Sequence, residues 1–408
     1  MRRVWPSGSC SRALCSPALC LAALLAGCAD PLAGLTVVGD DPSDAPLAGL
    51  DDATLRRFEA GDALFEQPFR ASQGLGPVYI RHACVSCHED DARGPGAVRK
   101  MVLLDPDGVV SEDQSALVHG HTVRPQRAAG ATRGVEPPAD REVWITRRFG
   151  PPVFARGYLE AIDDAEIERV EAEQAREGVV SGRVHRVAWQ SEANPLATHG
   201  LGPGATNLIG RFGLKARLAT LDEFVADAFQ GDMGLTSPLR PRELSNPDGL
   251  LDDAREGVDL DAESIELVTD YVRLLAIPAR AAPPEGAAAL FAEVGCARCH
   301  VPTLRTRADY PIAALADVDA PVFSDLLLHD MGDGLADGLR DGDALGSEWR
   351  TAPLIGLRHQ RALLHDGRAS TALEAIEAHD GEARGAAEAF AALPEAARDT
   401  LLRYVEGL

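Results

Sequence analysis

The feature that most constrains this 408-residue chain is a pair of C-x-x-C-H motifs, at residues 84–88 and 296–300. Two intervening residues let one helical turn present both sulfurs on one side, with the histidine beneath them. In this arrangement two thiols bind the vinyl groups of one porphyrin and the histidine binds its iron. The two motifs therefore predict two covalently bound c-type haems.

Zinc and disulfide chemistry are the alternatives for C-x-x-C pairs. A zinc site does not require a histidine after both pairs, and a disulfide would explain neither His88 nor His300. Haem is therefore the favoured interpretation. The predicted haem-binding residues are Cys84, Cys87, His88, Cys296, Cys299 and His300.

Residues 1–27 predict a lipoprotein signal peptide. Three arginines and no acidic residue accompany an apolar run at residues 18–26, which is too short for a membrane span. The run ends in Leu-Ala-Gly-Cys, which resembles a lipobox, so we expect Cys28 to be acylated as the first mature residue. Ala29 is not the aspartate of inner-membrane retention, which favours a periplasmic protein anchored in the outer membrane.

Cysteine usage and charge exclude two classes of function. Once the leader, the lipid anchor and the two motifs are assigned, the mature chain has no cysteine left for catalysis. The formal net charge of −23 argues against nucleic acid as a partner. An acidic surface suits a basic electron donor, such as a small cytochrome c or a cupredoxin, and serves solubility equally well.

An imperfect internal repeat predicts a mainly α fold of two cytochrome c-like domains. A helix-forming run precedes each motif, at residues 61–65 and 286–291. An amphipathic helix closes each unit, at residues 261–277 and 394–408. In such domains the first and last helices cross and enclose the haem.

The predicted domains are residues 52–278 and 286–408. A proline-containing linker at 279–285 separates them, and residues 28–51 form a flexible tether. The first domain carries a long, loop-rich insertion of roughly residues 91–246. Inside it we expect two helices and a small hairpin, and a pocket or interface shaped by the loops.

Seven further segments resemble, in the same order, the di-haem oxidoreductases, a family that includes proteins labelled thiol oxidoreductases. They lie at residues 74–77, 157–162, 211–216, 231–234, 324–332, 348–351 and 365–368. The family is related to the bacterial di-haem cytochrome c peroxidases. The resemblance implies that the N-terminal haem is catalytic, that peroxide or a related oxidant is reduced, and that a calcium ion lies between the domains.

The sixth ligand of each iron decides whether a haem transfers electrons or binds peroxide. For the haem at His300 we expect Met331, in a glycine-containing loop, with His329 as the alternative ligand and core packing as the alternative role. For the haem at His88, the candidates are Met233, Met101, His119 and His121, or the position is open.

Peroxide cleavage also needs a distal acid–base group. The candidates are His121, His119 and Glu136, each of which could equally be a loop or surface residue. Three arginines in the family-like segments could bind haem propionates, with structural ion pairs as the alternative. These are Arg211, Arg350 and Arg368.

The sequence thus predicts a periplasmic di-haem oxidoreductase in which the haem at His300 passes electrons to a peroxide-reducing haem at His88. Trp349 is either a relay between the haems or a core residue. Two other functions stay open. One is a non-catalytic electron-transfer protein, and the other is an oxidase of thiols or of a partner protein.

Overall fold

The computed structural model describes residues 37–38, 45–89, 96–128, 130–193, 200–251 and 257–408. The predicted signal peptide, Cys28 and most of the predicted tether lie outside the described residues. Within these ranges, no helix combines the length and the apolar character needed to span a membrane.

Nine α-helices lie in the described part of the chain, joined by loops and single turns. They are α1 (Asp52–Glu66), α2 (Arg156–Ala161), α3 (Asp164–Glu177), α4 (Leu221–Ala228), α5 (Ala262–Leu274), α6 (Ala287–Glu293), α7 (Ala372–Glu377), α8 (Arg384–Ala391) and α9 (Glu395–Glu406). The 3₁₀ turns are Ala71–Gln73, Cys84–Ser86, Cys296–Arg298, Ala313–Leu315, Asp333–Leu335, Leu357–His359 and Gly381–Ala383, and Phe229–Met233 forms a π turn.

The strands form separate two-stranded ladders. β1 (Val37–Val38) runs parallel to β8 (Ile277–Pro278). The antiparallel pairs are β2 (Val78–Tyr79) with β4 (Gln126–Arg127), β3 (Ala97–Leu103) with β5 (Val143–Phe149), β6 (Arg186–Val187) with β7 (Leu208–Ile209), β9 (Leu304–Arg305) with β10 (Asp319–Ala320), and β11 (Leu328–Asp330) with β12 (Glu348–Arg350).

Helices outweigh strands, but loops outweigh both. The structure is 34% helical with 14% strand. The expected mainly α fold is therefore supported only in part: helices are more abundant than strands, but most residues lie in neither. In place of the small hairpin expected in the insertion, the structure has the seven-residue antiparallel ladder of β3 and β5, whose strands are joined by the long segment 104–142. The two-domain division stays a prediction, because apolar residues between positions 304 and 327 belong to the same core as α1 and α5.

In the N-terminal half, α1 crosses α5 at very short range. A Cβ on Gly61 would lie 2.0 Å from the carbonyl oxygen of Leu267, so only glycine permits this approach. The ring of Tyr271 lies 5.1 Å from those of Phe58 and Phe65. This crossing anchors the segment that leads from α1 into the first motif.

A similar pairing of first and last helices occurs in the C-terminal half. Phe291 of α6 packs against Tyr404 of α9, with ring centroids 5.5 Å apart. Phe323 joins the same cluster, 6.3 Å from Phe291. The second motif follows α6 directly, so this second core positions it as the first core positions the first motif.

A buried ion pair ties α2 to α5. Arg273 Nε donates to Glu160 Oε2 at 2.7 Å, and the two side chains are 5% and 9% exposed. Tyr310 and the backbone N–H of Leu221 also donate to this carboxylate, at 2.7 and 2.9 Å. Burial works to raise the pKa of Glu160, but the charge and hydrogen bonds of Arg273 and its other donors lower it to about 2. Glu160 therefore stays ionised and holds α2, α4 and α5 together.

Replacing Glu160 with glutamine should strongly destabilise the fold, because Arg273 would keep a buried charge without its partner. We expect a loss of about 3–5 kcal/mol in the free energy of unfolding at neutral pH, measured by denaturant titration. Glu168→Gln on α3 is the matched control. Its carboxylate is half exposed beside Arg186, so the loss should stay within about 1 kcal/mol.

The Glu160→Gln effect should also depend on pH. Because folding lowers the pKa of Glu160, its stabilising contribution is complete above the ordinary value of 4.5 and is lost as the pH falls through about 2. The stability difference between wild type and variant should shrink across that window. A difference that stays constant over the same range would contradict the assignment.

Candidate haem-binding site

The first motif opens onto a cavity of about 460 Å³. The N–H groups of Cys87 and His88 both donate to the carbonyl oxygen of Cys84, at 2.9 and 3.0 Å, so one tight turn directs all three side chains to the cavity. Burial raises the pKa of Cys84 to about 12 and that of Cys87 to about 11. Both are therefore protonated thiols at neutral pH, unlike reactive or zinc-bound thiolates.

Two glycines let neighbouring segments approach the motif closely. A Cβ on Gly96 would lie 2.2 Å from the sulfur of Cys87, and one on Gly150 would lie 2.9 Å from the ring of His88. Phe65, near the end of α1, lies 6.2 Å from the His88 ring between centroids. The predicted insertion thus folds back over the first motif and forms part of its cavity.

Arg124 is the clearest sign that the cavity binds an anion. The residue lines the cavity and is 3% exposed, and one of its nitrogens donates to the carbonyl oxygens of His119 and Ser245. Its Nε and Nη1 are buried without a hydrogen-bond partner, and burial lowers its pKa. A buried guanidinium with unused donors fits a carboxylate, and a haem carries two propionates. The cavity therefore suits the group that the motif predicts.

Other basic side chains in the cavity wall already have partners. Arg148 donates to Asp337 at 2.7 Å and to Asp341 at 2.6 Å. Lys100 Nζ donates to Thr122 at 2.6 Å, and burial lowers the pKa of Lys100 to about 8. Asp227, Asp232 and Asp341 also line the cavity, so acidic side chains partly offset the charge of these basic groups.

Two of the three predicted distal residues lie at this cavity. His119 and His121 both line it, with Nδ1 of His119 2.6 Å from Ser245 Oγ and Nδ1 of His121 3.0 Å from the carbonyl oxygen of Met101. Glu136 does not line the cavity. It is exposed and lies 3.6 Å from Arg99 in an ion pair.

Met233 also lines the cavity and is 4% exposed. It closes the π turn Phe229–Met233, and its carbonyl oxygen accepts a hydrogen bond from Gly76 at 3.0 Å. The predicted ligand therefore lies at the cavity that the first motif opens onto. Met233 stays a candidate for the iron beside His88.

The second motif presents a histidine ready to bind a metal. His300 Nδ1 lies 3.1 Å from the carbonyl oxygen of Phe323. A carbonyl only accepts, so Nδ1 carries the proton and Nε2 has the free lone pair. Burial lowers the pKa of His300 to about 4, which keeps the ring neutral.

His329, the alternative ligand for this haem, has no nitrogen to offer. Its Nε2 lies 2.8 Å from Asp325 and its Nδ1 2.9 Å from Glu382. Burial alone would lower its pKa, but hydrogen bonds to Asp325, Cys299 and Glu382 raise it to about 12. A doubly protonated ring has no lone pair for iron, so the suggestion that His329 is a ligand is wrong.

Cys299, Asp325 and His329 are the one group of cysteine, histidine and acidic residues in the described ranges whose ligand atoms lie close enough together for a metal ion, but both nitrogens of His329 are bonded to carboxylates. The group includes no residue of the first motif, so it gives no support to a zinc site shared between motifs. Calcium prefers oxygen ligands, which this group does not supply alone. The calcium ion expected from the resemblance stays a prediction.

Met331, the predicted sixth ligand of the second haem, follows β11 and is partly buried. Its segment packs against Gly381, where a Cβ would lie 2.7 Å from the carbonyl carbon of Met331. Next to Gly381 lies a histidine that the sequence reasoning missed. The ring centroid of His379 is 6.4 Å from that of His300.

The three arginines predicted for propionates are used elsewhere. None of them is part of the described wall of the first-motif cavity. Arg211 and Arg350 are buried and donate to backbone carbonyl oxygens, and Arg368 donates to Asp366 at 2.6 Å. A structural role therefore fits these three arginines better than propionate binding. Arg124, which does line the cavity, lies outside the seven family-like segments.

Trp349 lies in a stack of side chains between the two motifs. Its ring is parallel to that of His365, with centroids 3.8 Å apart, and its Nε1 donates to the carbonyl oxygen of Leu335 at 2.9 Å. The ammonium of Lys215 lies 3.8 Å from the centroid of the Trp349 ring. The indole is therefore held rigidly on several sides.

Contacts continue from this stack towards both motifs. Trp349 pairs across β11 and β12 with His329, which lies 3.8 Å from the sulfur of Cys299. In the other direction, Phe149 donates its N–H to the carbonyl oxygen of His365 at 2.7 Å and lines the first-motif cavity. A continuous series of contacts thus joins the two motifs.

The two motifs, together with a cavity that contains unused guanidinium donors of Arg124, are typical of a di-haem redox protein. In agreement with this class, residues 136–408 match the family described as "Di-haem oxidoreductase, putative peroxidase". The chain belongs to this family, and the predicted family is confirmed. The match includes the second C-x-x-C-H motif and begins after the first, and haems are the cofactors that the family implies.

No curated protein matches the chain. Among solved structures, it is similar to hydrazine synthase of Kuenenia stuttgartiensis, determined under 20 bar of xenon. The two are 13% identical, and the alignment covers 91% of this chain and 95% of the other with a TM-score of 0.35. A structural similarity with so low a TM-score gives no information about the function of this chain.

Arg124→Gln should lower the midpoint potential of the haem at His88, because a positive charge near a haem favours the reduced iron. Potentiometric titration of the full-length haem protein measures this. Arg368→Gln is the matched control and should leave both potentials unchanged, since Arg368 is paired with Asp366. An unchanged potential in Arg124→Gln would contradict propionate binding by this residue.

Proposed function

We propose that this chain is a periplasmic, peroxidase-like di-haem oxidoreductase with both haems attached through thioether bonds. The haem at His300 would relay electrons to the haem at His88, where hydrogen peroxide or a related oxidant is reduced. One observation carries the proposal. The cavity that holds His88 also holds two histidines suited to proton transfer, His119 and His121.

The state of the cysteines supports covalent attachment. All four motif cysteines are free of disulfides, and each pair lies on a single 3₁₀ turn followed by its histidine. When bound, each haem supplies a redox-active iron. The protein's part is to fix the ring, to balance its propionates with charges such as Arg124, and to control access to the iron.

The distal histidines provide the proton chemistry. His121 donates from Nδ1 to the carbonyl oxygen of Met101, which leaves its Nε2 as an acceptor. Burial and the nearby charges of Arg124 and Arg133 lower the pKa of His119, which favours its neutral form. A neutral imidazole can take the proton from one peroxide oxygen and return it to the other as the bond breaks.

The contact series through Trp349 supports a relay from the second motif to the first. The indole of Trp349, held in place by His365 and Leu335, would serve as an intermediate step for an electron that passes between the two haems. The electron source would be a basic carrier such as a small cytochrome c or a cupredoxin, drawn by a chain whose formal charge is −23. Acylation at Cys28 would hold the protein at the periplasmic face of the outer membrane.

His121→Gln should reduce kcat/KM for peroxide by about 10²–10⁴-fold, the usual contribution of a general acid–base group. Steady-state turnover with a reduced donor measures this, at equal haem content. Glu136→Gln serves as the control and should retain full activity, because Glu136 is exposed and outside the cavity. Equal activity of the two variants would remove His121 from the mechanism.

Spectroscopy and turnover together separate the proposal from its alternatives. A high-spin signal from the haem at His88 in the half-reduced protein is expected, whereas a pure electron-transfer protein would show low-spin haem alone. Turnover with peroxide and a reduced cytochrome should exceed turnover with thiols. The reverse preference would favour an oxidase.

Trp349→Phe should slow electron transfer between the haems while both stay attached. Stopped-flow oxidation of the half-reduced protein by peroxide follows the second haem directly. Trp144→Phe on β5 is the control, because that ring is partly exposed. Equal rates in the two variants would show that the electron path avoids Trp349.

A further inference from the structure

Two histidine rings lie close to each other at the second motif. His300 belongs to the motif, and His379 lies at the far end of α7, many residues downstream. Their ring centroids are 6.4 Å apart, and the rings are inclined by 54°. The sequence gives no reason for this approach, since His379 lies in no recognised motif.

The protonation pattern of His379 matches that of His300. Nδ1 of His379 lies 2.6 Å from the carbonyl oxygen of Ala375, and Nδ1 of His300 lies 3.1 Å from that of Phe323. Each Nδ1 must donate, because a carbonyl oxygen only accepts, so each Nε2 has its lone pair free. Metal-binding histidines are typically oriented in this way by a backbone carbonyl.

The separation of the rings excludes face-to-face stacking and a direct hydrogen bond between them. Stacked rings lie much closer, as Trp349 and His365 do at 3.8 Å. A direct hydrogen bond of about 2.9 Å between the two Nε2 atoms would place the centroids about 5.1 Å apart at most. A metal bound between them, with bonds of about 2.0 Å and about 1.1 Å from each nitrogen to its ring centre, places them about 6.2 Å apart.

We propose that His379 is the sixth ligand of the haem attached at the second motif, on the face of the ring opposite His300. This inference rests on the haem attachment of the proposed function. It replaces Met331 as the predicted ligand, although Met331 lies on the adjoining segment. His329, the third nearby candidate, is excluded because Asp325 and Glu382 bind both of its nitrogens.

The fold explains how His379 reaches this position. Thr371 begins α7 by accepting a hydrogen bond from the N–H of Glu374, and the helix ends just before His379. Gly381 then permits the chain to pass against residues 330–332, since a Cβ there would lie 2.2 Å from the carbonyl oxygen of Asp330. A tight, glycine-dependent contact therefore fixes the histidine beside the second motif.

Two imidazole ligands have a functional consequence. Methionine as the sixth ligand raises the reduction potential of a c-type haem, so replacing it with histidine lowers that potential. The haem at His300 would then be a six-coordinate, low-spin and comparatively strong reductant. This property suits a centre that passes electrons onward and binds no oxidant itself.

The test uses near-infrared magnetic circular dichroism and electron paramagnetic resonance of the oxidised, full-length haem protein. Wild type should show the charge-transfer signature of bis-histidine haem, and Met331→Leu should leave it unchanged. His379→Gly should convert one haem to high spin, and added imidazole should restore the low-spin signal. His379→Met should raise the potential of that haem.

Two results would overturn the proposal. One is a sulfur-to-iron charge-transfer band in wild type that Met331→Leu abolishes, and the other is an unaltered spectrum in His379→Gly. If the glycine variant does not fold, wild type and Met331→Leu decide the question alone. Haem content, measured as pyridine haemochrome, distinguishes failure of this inference from failure of the proposed function. Absence of haem would refute the proposed function. Two bound haems without ligation by His379 would refute this inference only.

Discussion

The rest of the structure depends on one constraint, which is that a single turn of backbone must supply two sulfurs and one imidazole to the same ring. Each 3₁₀ turn at Cys84–Ser86 and Cys296–Arg298 meets it, because the next backbone amides bond to the first cysteine's carbonyl. A pair of crossing helices holds each turn in place. In the N-terminal half the helices are held together by the close approach at Gly61, and in the C-terminal half by the packing of Phe291 against Tyr404.

The two sites built on these turns differ in what surrounds the histidine. His88 opens onto a cavity with free donors on Arg124 and two further histidines, which suits anion binding and proton transfer. His300 instead faces a second histidine, with its own tautomer set by a backbone carbonyl. The same motif therefore occurs in two different surroundings. In the proposed function, this difference would separate peroxide reduction at His88 from electron supply at His300.

The sequence predicted those parts of the molecule that depend on local pattern. The motifs and the amphipathic faces of α5 and α9 are readable from spacing, and the family resemblance is confirmed by the match over residues 136–408. Arg124 and His379 could not be found in this way. The importance of both residues arises from approaches between distant segments of the chain. These leave two guanidinium nitrogens of Arg124 without hydrogen-bond partners and bring the imidazole of His379 near that of His300. Arg211 and Arg350 drew attention by their motifs, yet their donors are taken by backbone carbonyls.

The central claim is that two porphyrins are joined covalently to this polypeptide, and intact mass spectrometry of the exported, denatured protein tests it most directly. The account predicts a mass above that of the processed, acylated chain by two haem groups. Loss of one haem in Cys84→Ser/Cys87→Ser and of the other in Cys296→Ser/Cys299→Ser would assign each to its motif. A chain with no added macrocycle would contradict the account.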